Sequence, residues 1–252
     1  MGGGGISKRL LNLASVFFGR IQGGLAIVTV VVCMFFAAIS GSGPATVAAV
    51  GGMVVPTMLE KGYDKKFVLA LIAAAGSIGV IIPPSIPMVI YGVTTNSSVS
   101  SLFLAGFVPG LLIGLVLIGY SYFYAKKNGY KGDTEPFSWK RALHELKEGF
   151  WAILSPVIIL GGIYGGIFTP TEAAAVSVIY SLIVGCFIYK ELDLKKLLNV
   201  TRNACETTAS ILIVIGCAAG FSKVLTLGRI PTSVAAGMLS LTDSAILILL
   251  LI

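Results

Sequence analysis

The sequence runs to 252 residues, of which 56% are hydrophobic and 12% charged, with a net charge of +7 and a mean hydropathy of +0.95. Soluble chains carry about 25% charged residues, so roughly half the usual water-facing charge is missing. That excludes a soluble globule, a disordered or collagen-like chain and a disulfide-stapled scaffold, and leaves an all-α polytopic membrane protein read from its long apolar runs.

The 18 Lys and Arg residues fall in short clusters between apolar runs rather than along one face. This is the signature of membrane topology and not of a nucleic-acid partner. Cys33, Cys186, Cys205 and Cys217 show no CxxC spacing and lie in or beside apolar segments, where a free thiol packs as a small hydrophobe. A secretory leader is not expected, because Lys8 and Arg9 follow Met1 to Gly5 without a short apolar core. Gly2 lacks the Ser or Thr of a myristoylation signal, having Ile6 at that place.

In chain order, Ile21 to Ile39 is nearly a full span and is broken by Ser40-Gly41-Ser42-Gly43-Pro44 before a shorter run from Ala45 to Leu59. Phe67 to Ile82 runs into Pro83-Pro84-Ser85-Ile86-Pro87 and continues only to Val93. Leu102 to Ala125 is an uninterrupted span, followed by polar residues from Lys126 to Glu148. Trp151 to Phe168 and Ala173 to Tyr189 form a pair joined at Thr169-Pro170, Lys190 to Arg202 is polar, and Thr207 to Leu227 spans again. Ala245 to Ile252 is an apolar run that reads as cut off. All but Lys223 and Arg229 of the basic residues sit in four clusters. Placing those clusters in the cytoplasm closes the topology: 21–59 leaves and returns, 67–93 crosses outward, 102–125 crosses inward, and 151–189 goes out and back.

The breaks are where chemistry is expected. In Ser40 to Thr46 one helix ends and another begins, so unsatisfied carbonyls suited to a cation meet N–H groups suited to an anion. The run Ala45 to Leu59 is short for a crossing, since about 20 residues are needed. That favours a re-entrant hairpin over a far-surface turn. At the second break Pro83, Pro84 and Pro87 lack N–H donors, so the carbonyls of Gly79, Val80 and Pro83 lose their helical partners. Such backbone is tolerated in a bilayer only where protein or a water-filled cavity covers it. An unwound ion or substrate site is expected, with a structural kink as the alternative; sodium, a hard cation, suits its oxygens. Thr169-Pro170-Thr171-Glu172 reads as a capping box more than as a proton or ion site. His144, the single histidine, lies in the polar segment Trp139 to Glu148, where an interfacial amphipathic helix is expected, and does not belong to a metal centre.

Four motifs carry a resemblance: Ser40-Gly41-Ser42-Gly43-Pro44-Ala45-Thr46; Gly79-Val80-Ile81-Ile82-Pro83-Pro84-Ser85-Ile86-Pro87-Met88-Val89-Ile90-Tyr91-Gly92; Leu102-Phe103-Leu104-Ala105-Gly106-Phe107-Val108-Pro109-Gly110; and Gly161-Gly162-Ile163-Tyr164-Gly165-Gly166-Ile167-Phe168-Thr169-Pro170-Thr171-Glu172-Ala173-Ala174-Ala175. Across the whole chain they resemble the large membrane subunit of TRAP transporters, the tripartite ATP-independent periplasmic type. The resemblance implies an elevator-type transporter of the bacterial inner membrane. It would have a re-entrant helical hairpin and a proline-broken transmembrane helix, and would work with a small membrane subunit and a periplasmic binding protein. Residues 1–20 would be an amphipathic arm helix and 21–93 a transport half-domain, with hairpin 21–59 and broken helix 67–93. Residues 102–125 would be a transmembrane helix, 126–149 a cytoplasmic connector, 150–230 scaffold, and 231–252 the start of a truncated second transport half. Substrate and ion would bind at Ser40, Gly41, Ser42, Gly43, Pro44, Thr46, Gly79, Val80, Pro83, Pro84 and Ser85, with sodium at Ser40, Ser42, Gly79, Pro83 and Ser85. No cofactor other than coupling sodium ions is implied. Three function classes are then open: sodium-coupled uptake of a small organic acid such as a C4-dicarboxylate or sialic acid, a non-transporting scaffold or assembly fragment, and an intramembrane enzyme. The last lacks the convergent acids and histidines it would need.

Overall fold

The computed structural model describes residues 6–132, 138–241 and 247–248. Met1 to Gly5 and most of the closing run Ala245 to Ile252 lie outside the described residues. Every regular element among the described residues is helical, and two compact units divide at Asp193 and Leu194.

The first unit is built around α2 (Gly24–Ser40), whose Ala26, Val28, Val30, Val32, Cys33 and Ala37 are fully buried. A helix apolar on every side has no face to give to water and must be surrounded. Packed around α2 are α1 (Ile6–Phe18), α3 (Gly43–Glu60), α4 (Lys65–Ser77), α6 (Val99–Asn128) and α7 (Trp139–Tyr164). Helices α2 and α3 form a helical hairpin. Gly41 at φ +61° ends α2, and Ser42 begins α3 by accepting a hydrogen bond from the Ala45 N–H.

Helix α4 starts at Asp64, whose carboxylate accepts from the Phe67 N–H at 3.0 Å, and tightens into a single 3₁₀ turn at Ile78–Val80. The chain then passes through Pro83 and Pro84, joined by a cis peptide bond, into α5 (Ile86–Thr95). Stacked rings close the opposite end of this hairpin. Tyr63 lies on Tyr130 with centroids 4.2 Å apart, Phe67 lies on Tyr124 at 4.0 Å, and the Asp64 N–H donates to the Tyr130 hydroxyl at 3.0 Å. Along α6 the buried glycines 106, 110 and 114 fall on one stripe, against Met88, Ile82 and Met34 respectively. With no side chains of their own, these glycines leave room for those three side chains to seat against the α6 backbone.

Helix α7 begins at Trp139, so the turns expected as an interfacial amphipathic helix within the connector are continuous with the span behind them, and α1 packs against α7. After α7, Thr169 and Glu172 form the expected capping box at the start of α8 (Pro170–Ile183), which ends in a π turn at Val184–Ile188. The second unit contains α9 (Leu194–Leu227) and α10 (Ile230–Leu241). Here too the polar run is absorbed, since α9 takes up Leu194 to Arg202 as its first turns. Helices α6, α7, α8 with its π turn, and α9 are long and apolar enough to cross a membrane. All four cysteines are free: Cys33 is buried, Cys186 is half-buried, and Cys205 and Cys217 are exposed.

A polar clamp fastens α1 to the far end of this unit. Arg9 Nη1 donates to Glu191 Oε1 at 2.7 Å, and Arg9 Nε lies 3.6 Å from Glu148 Oε2. The guanidinium sits 3.8 Å above the Tyr189 ring, and the Tyr189 hydroxyl donates to the Glu148 carbonyl at 2.9 Å. Arg9→Ala removes a half-buried ion pair and a cation–π contact together. The loss should be about 2 kcal/mol and should appear as faster amide exchange in α1, with Lys8→Ala as the silent control.

Candidate functional site

The two interruptions expected to carry chemistry are in contact. At the hairpin tip, the Thr46 hydroxyl donates to the Ser42 carbonyl at 2.8 Å and lies 3.0 Å from the Ser40 hydroxyl, which accepts from the Ser42 N–H at 3.4 Å. Thr46 is fully buried, and a buried hydroxyl must find partners. At the proline break the Ser85 hydroxyl donates to the Val80 carbonyl at 2.7 Å and accepts from the Met88 N–H at 3.4 Å. Ser85 thus supplies one of the bonds that the prolines remove.

One backbone bond joins the breaks directly: the Ile86 N–H donates to the Gly41 carbonyl at 3.1 Å. Glycines make the approach possible. A Cβ on Gly41 would lie 2.5 Å from the Pro84 carbonyl oxygen, and one on Gly79 would lie 2.7 Å from Thr46 Oγ1 and 2.9 Å from the Ser42 carbonyl oxygen. Gly43 faces the Gly76 carbonyl in the same manner.

The donors are largely spent. In the first turn of α5, Ile86 gives its N–H to Gly41, Pro87 has none, and Met88 gives its to Ser85. In α3, Pro44 has no N–H, Ala45 is capped by Ser42, and Thr46 bonds to the Ser42 carbonyl. The junction therefore offers mainly oxygen, from hydroxyls and carbonyls, with no ionised side chain among the residues of either break. Neutral oxygens suit a hard cation of low charge, and no group of three or more His, Cys, Asp or Glu able to hold a metal occurs among the described residues.

A cavity of about 280 Å³ opens beside the junction. Ser40, Gly41, Pro84 and Ser85 front it, whereas Ser42, Gly43, Thr46, Gly79, Val80 and Pro83 stand outside its lining and Pro44 faces outward. The opposite wall comes from Phe103 on α6, Ile159 and Ile163 on α7, and Pro170, Ala174 and Ser177 on α8. Phe103, Ile163, Pro170 and Ala174 stand in motifs read from the sequence but were given no binding role there, and Ile159 and Ser177 were not singled out, because an apolar side chain or a single serine in a spanning helix gives no local signal. A larger cavity of about 600 Å³, between α2, α6 and α7, is lined almost wholly by apolar side chains and lies away from the oxygens. His144 is exposed on α7, remote from both breaks in sequence.

The glycine at the tip gives a direct test. Gly41→Ala forces a left-handed backbone and a clash with Pro84, and should cost about 2 kcal/mol or more. Gly52→Ala, inside α3 with open space around it, should stabilise the same hairpin by about 0.5–1 kcal/mol. Thermal midpoints of the two variants in one detergent should move in opposite directions.

Residues 1–252 match the family described as "Tripartite ATP-independent periplasmic transporter, DctM component". The chain is 51% identical over 252 residues to the isethionate TRAP transporter permease protein DctMQ of Oleidesulfovibrio alaskensis, covering 100% of this chain and 40% of that protein. It is 45% identical to the C4-dicarboxylate TRAP transporter large permease protein DctM of Vibrio cholerae, covering 95% of this chain and 57% of that one. It is 38% identical to the sialic acid TRAP transporter permease protein SiaT of Haemophilus influenzae, covering 100% and 41%. The chain therefore spans about half the length of these curated relatives. Together with the four apolar spans among the described residues, the match over residues 1–252 makes it a multi-pass protein of the bacterial inner membrane that belongs to the DctM family, the large permease component of TRAP transporters.

Proposed function

We propose that this chain forms one half-site of a sodium-coupled transporter that takes up a small organic acid. The transporter would work with a small membrane subunit and a periplasmic binding protein. The observation that carries the reading is the junction of the two breaks, where the Ile86–Gly41 bond brings Ser40, Ser42, Thr46, Gly79 and Ser85 into one oxygen-rich, uncharged cluster. A sodium ion held there supplies the positive charge that the protein itself does not provide. An anion in the adjoining cavity is then favoured by the bound cation, and by linkage the anion tightens the cation in return. That reciprocity is what coupling requires.

Hairpin 21–59 is read as re-entrant and 21–93 as the moving part of an elevator, with α7 and α8 as scaffold. The proposed movement carries the junction as a body past the wall formed by Ile159, Ile163 and Ser177. The substrate is proposed as a small organic acid by the names of the relatives, which include isethionate, C4-dicarboxylate and sialic acid permeases.

Uptake by the full-length transporter in proteoliposomes, with its binding protein, tests the assignment. Ser42→Ala and Ser85→Ala should each raise the sodium concentration for half-maximal uptake about tenfold, the worth of one polar contact. Unaltered sodium activation in both variants would remove the junction from the ion path, and is the outcome expected of a non-transporting scaffold.

A further inference from the structure

The first three turns of α7 carry a feature that transport does not use. Trp139, Leu143, Leu146 and Phe150 succeed one another at helical spacing and are 73%, 64%, 45% and 50% exposed. Such spacing places them on one stripe. Lys140, His144 and Lys147 run along the adjoining face, and with Leu143, Leu146 and Phe150 they line a shallow groove of about 700 Å³. The acids of these turns are elsewhere. Neither Glu145 nor Glu148 lines the groove, and Glu148 is engaged by Arg9. The groove thus has an apolar floor and a rim of one sign.

Its position also matters. The stripe runs straight into the apolar part of α7, so the groove lies where the helix leaves the hydrocarbon, with Trp139 near one end and Trp151 at the other. Tryptophan prefers that depth, and the basic clusters of the sequence assign this end to the cytoplasmic side. A soluble anion would leave the floor unused, and a neutral lipid would leave the lysines unused. We propose that this groove is a binding site for an anionic phospholipid of the cytoplasmic leaflet. Lys140 and Lys147 pair with its phosphate, and Leu143, Leu146 and Phe150 receive its acyl chain.

The test uses the full-length protein in bilayer discs of phosphatidylcholine with and without phosphatidylglycerol. Native mass spectrometry counts the retained lipid, and a melting curve reads its effect. The wild type should retain phosphatidylglycerol selectively and melt higher in its presence. K140Q/K147Q should lower phosphatidylglycerol affinity on the order of 30-fold, since each basic side chain near an anionic surface contributes roughly fivefold. K126Q/K127Q, at the equally basic end of α6, should leave retention unchanged. The proposal is overturned if the wild type shows no preference, if both double variants lose lipid equally, or if a photo-crosslinker at Leu143 captures another polypeptide instead of lipid.

Discussion

The hydrogen bond from the Ile86 N–H to the Gly41 carbonyl is the constraint around which the first unit is organised. A helix that stops among apolar side chains leaves backbone groups with no water to receive them, at a cost of several kcal/mol each. This chain stops two helices in that way and lets each interruption satisfy part of the other. The buried α2, the glycine contacts at 41, 43 and 79, and the ring stack at the opposite end of the hairpin all serve to keep the two breaks in register. Loss of the junction would leave at least two polar groups unpaired, which is why its neighbours are so closely fitted.

The same arrangement explains the chemistry. Because the prolines remove donors and the serines consume most of those that remain, the junction is biased towards oxygen without any charged residue. A carboxylate there would bind a cation more tightly and release it less readily. A neutral cluster would bind a cation weakly enough to let it go, as the proposed coupling to sodium requires.

Much of this was legible in the sequence because glycine and proline act locally. Three prolines in five residues dictate a break whatever surrounds them, and Ser42 and Thr169 identify themselves as caps because a proline stands in the first helical turn after each. Contacts between distant segments left no such trace. Arg9 meets Glu191 across 182 positions, and Tyr189 sits at the end of an apolar run where it reads as one more hydrophobe. The amphipathic turns from Trp139 to Glu148 were legible as a helix, but their continuity with the span behind them was not, because that depends on packing against α1. The wall of the cavity, from Phe103 to Ser177, is made of residues that are ordinary singly and acquire a role only through the fold.

Both tryptophans of the sequence, Trp139 and Trp151, lie on α7, about 18 Å apart along the helix axis at 1.5 Å per residue. The indole emission of these 252 residues is therefore an optical probe confined to a single helix. Quenchers placed at known depths in the bilayer would report how that helix rides in the membrane without any label being introduced. The junction of the two breaks contains no indole, so its own changes would reach the signal only by moving α7.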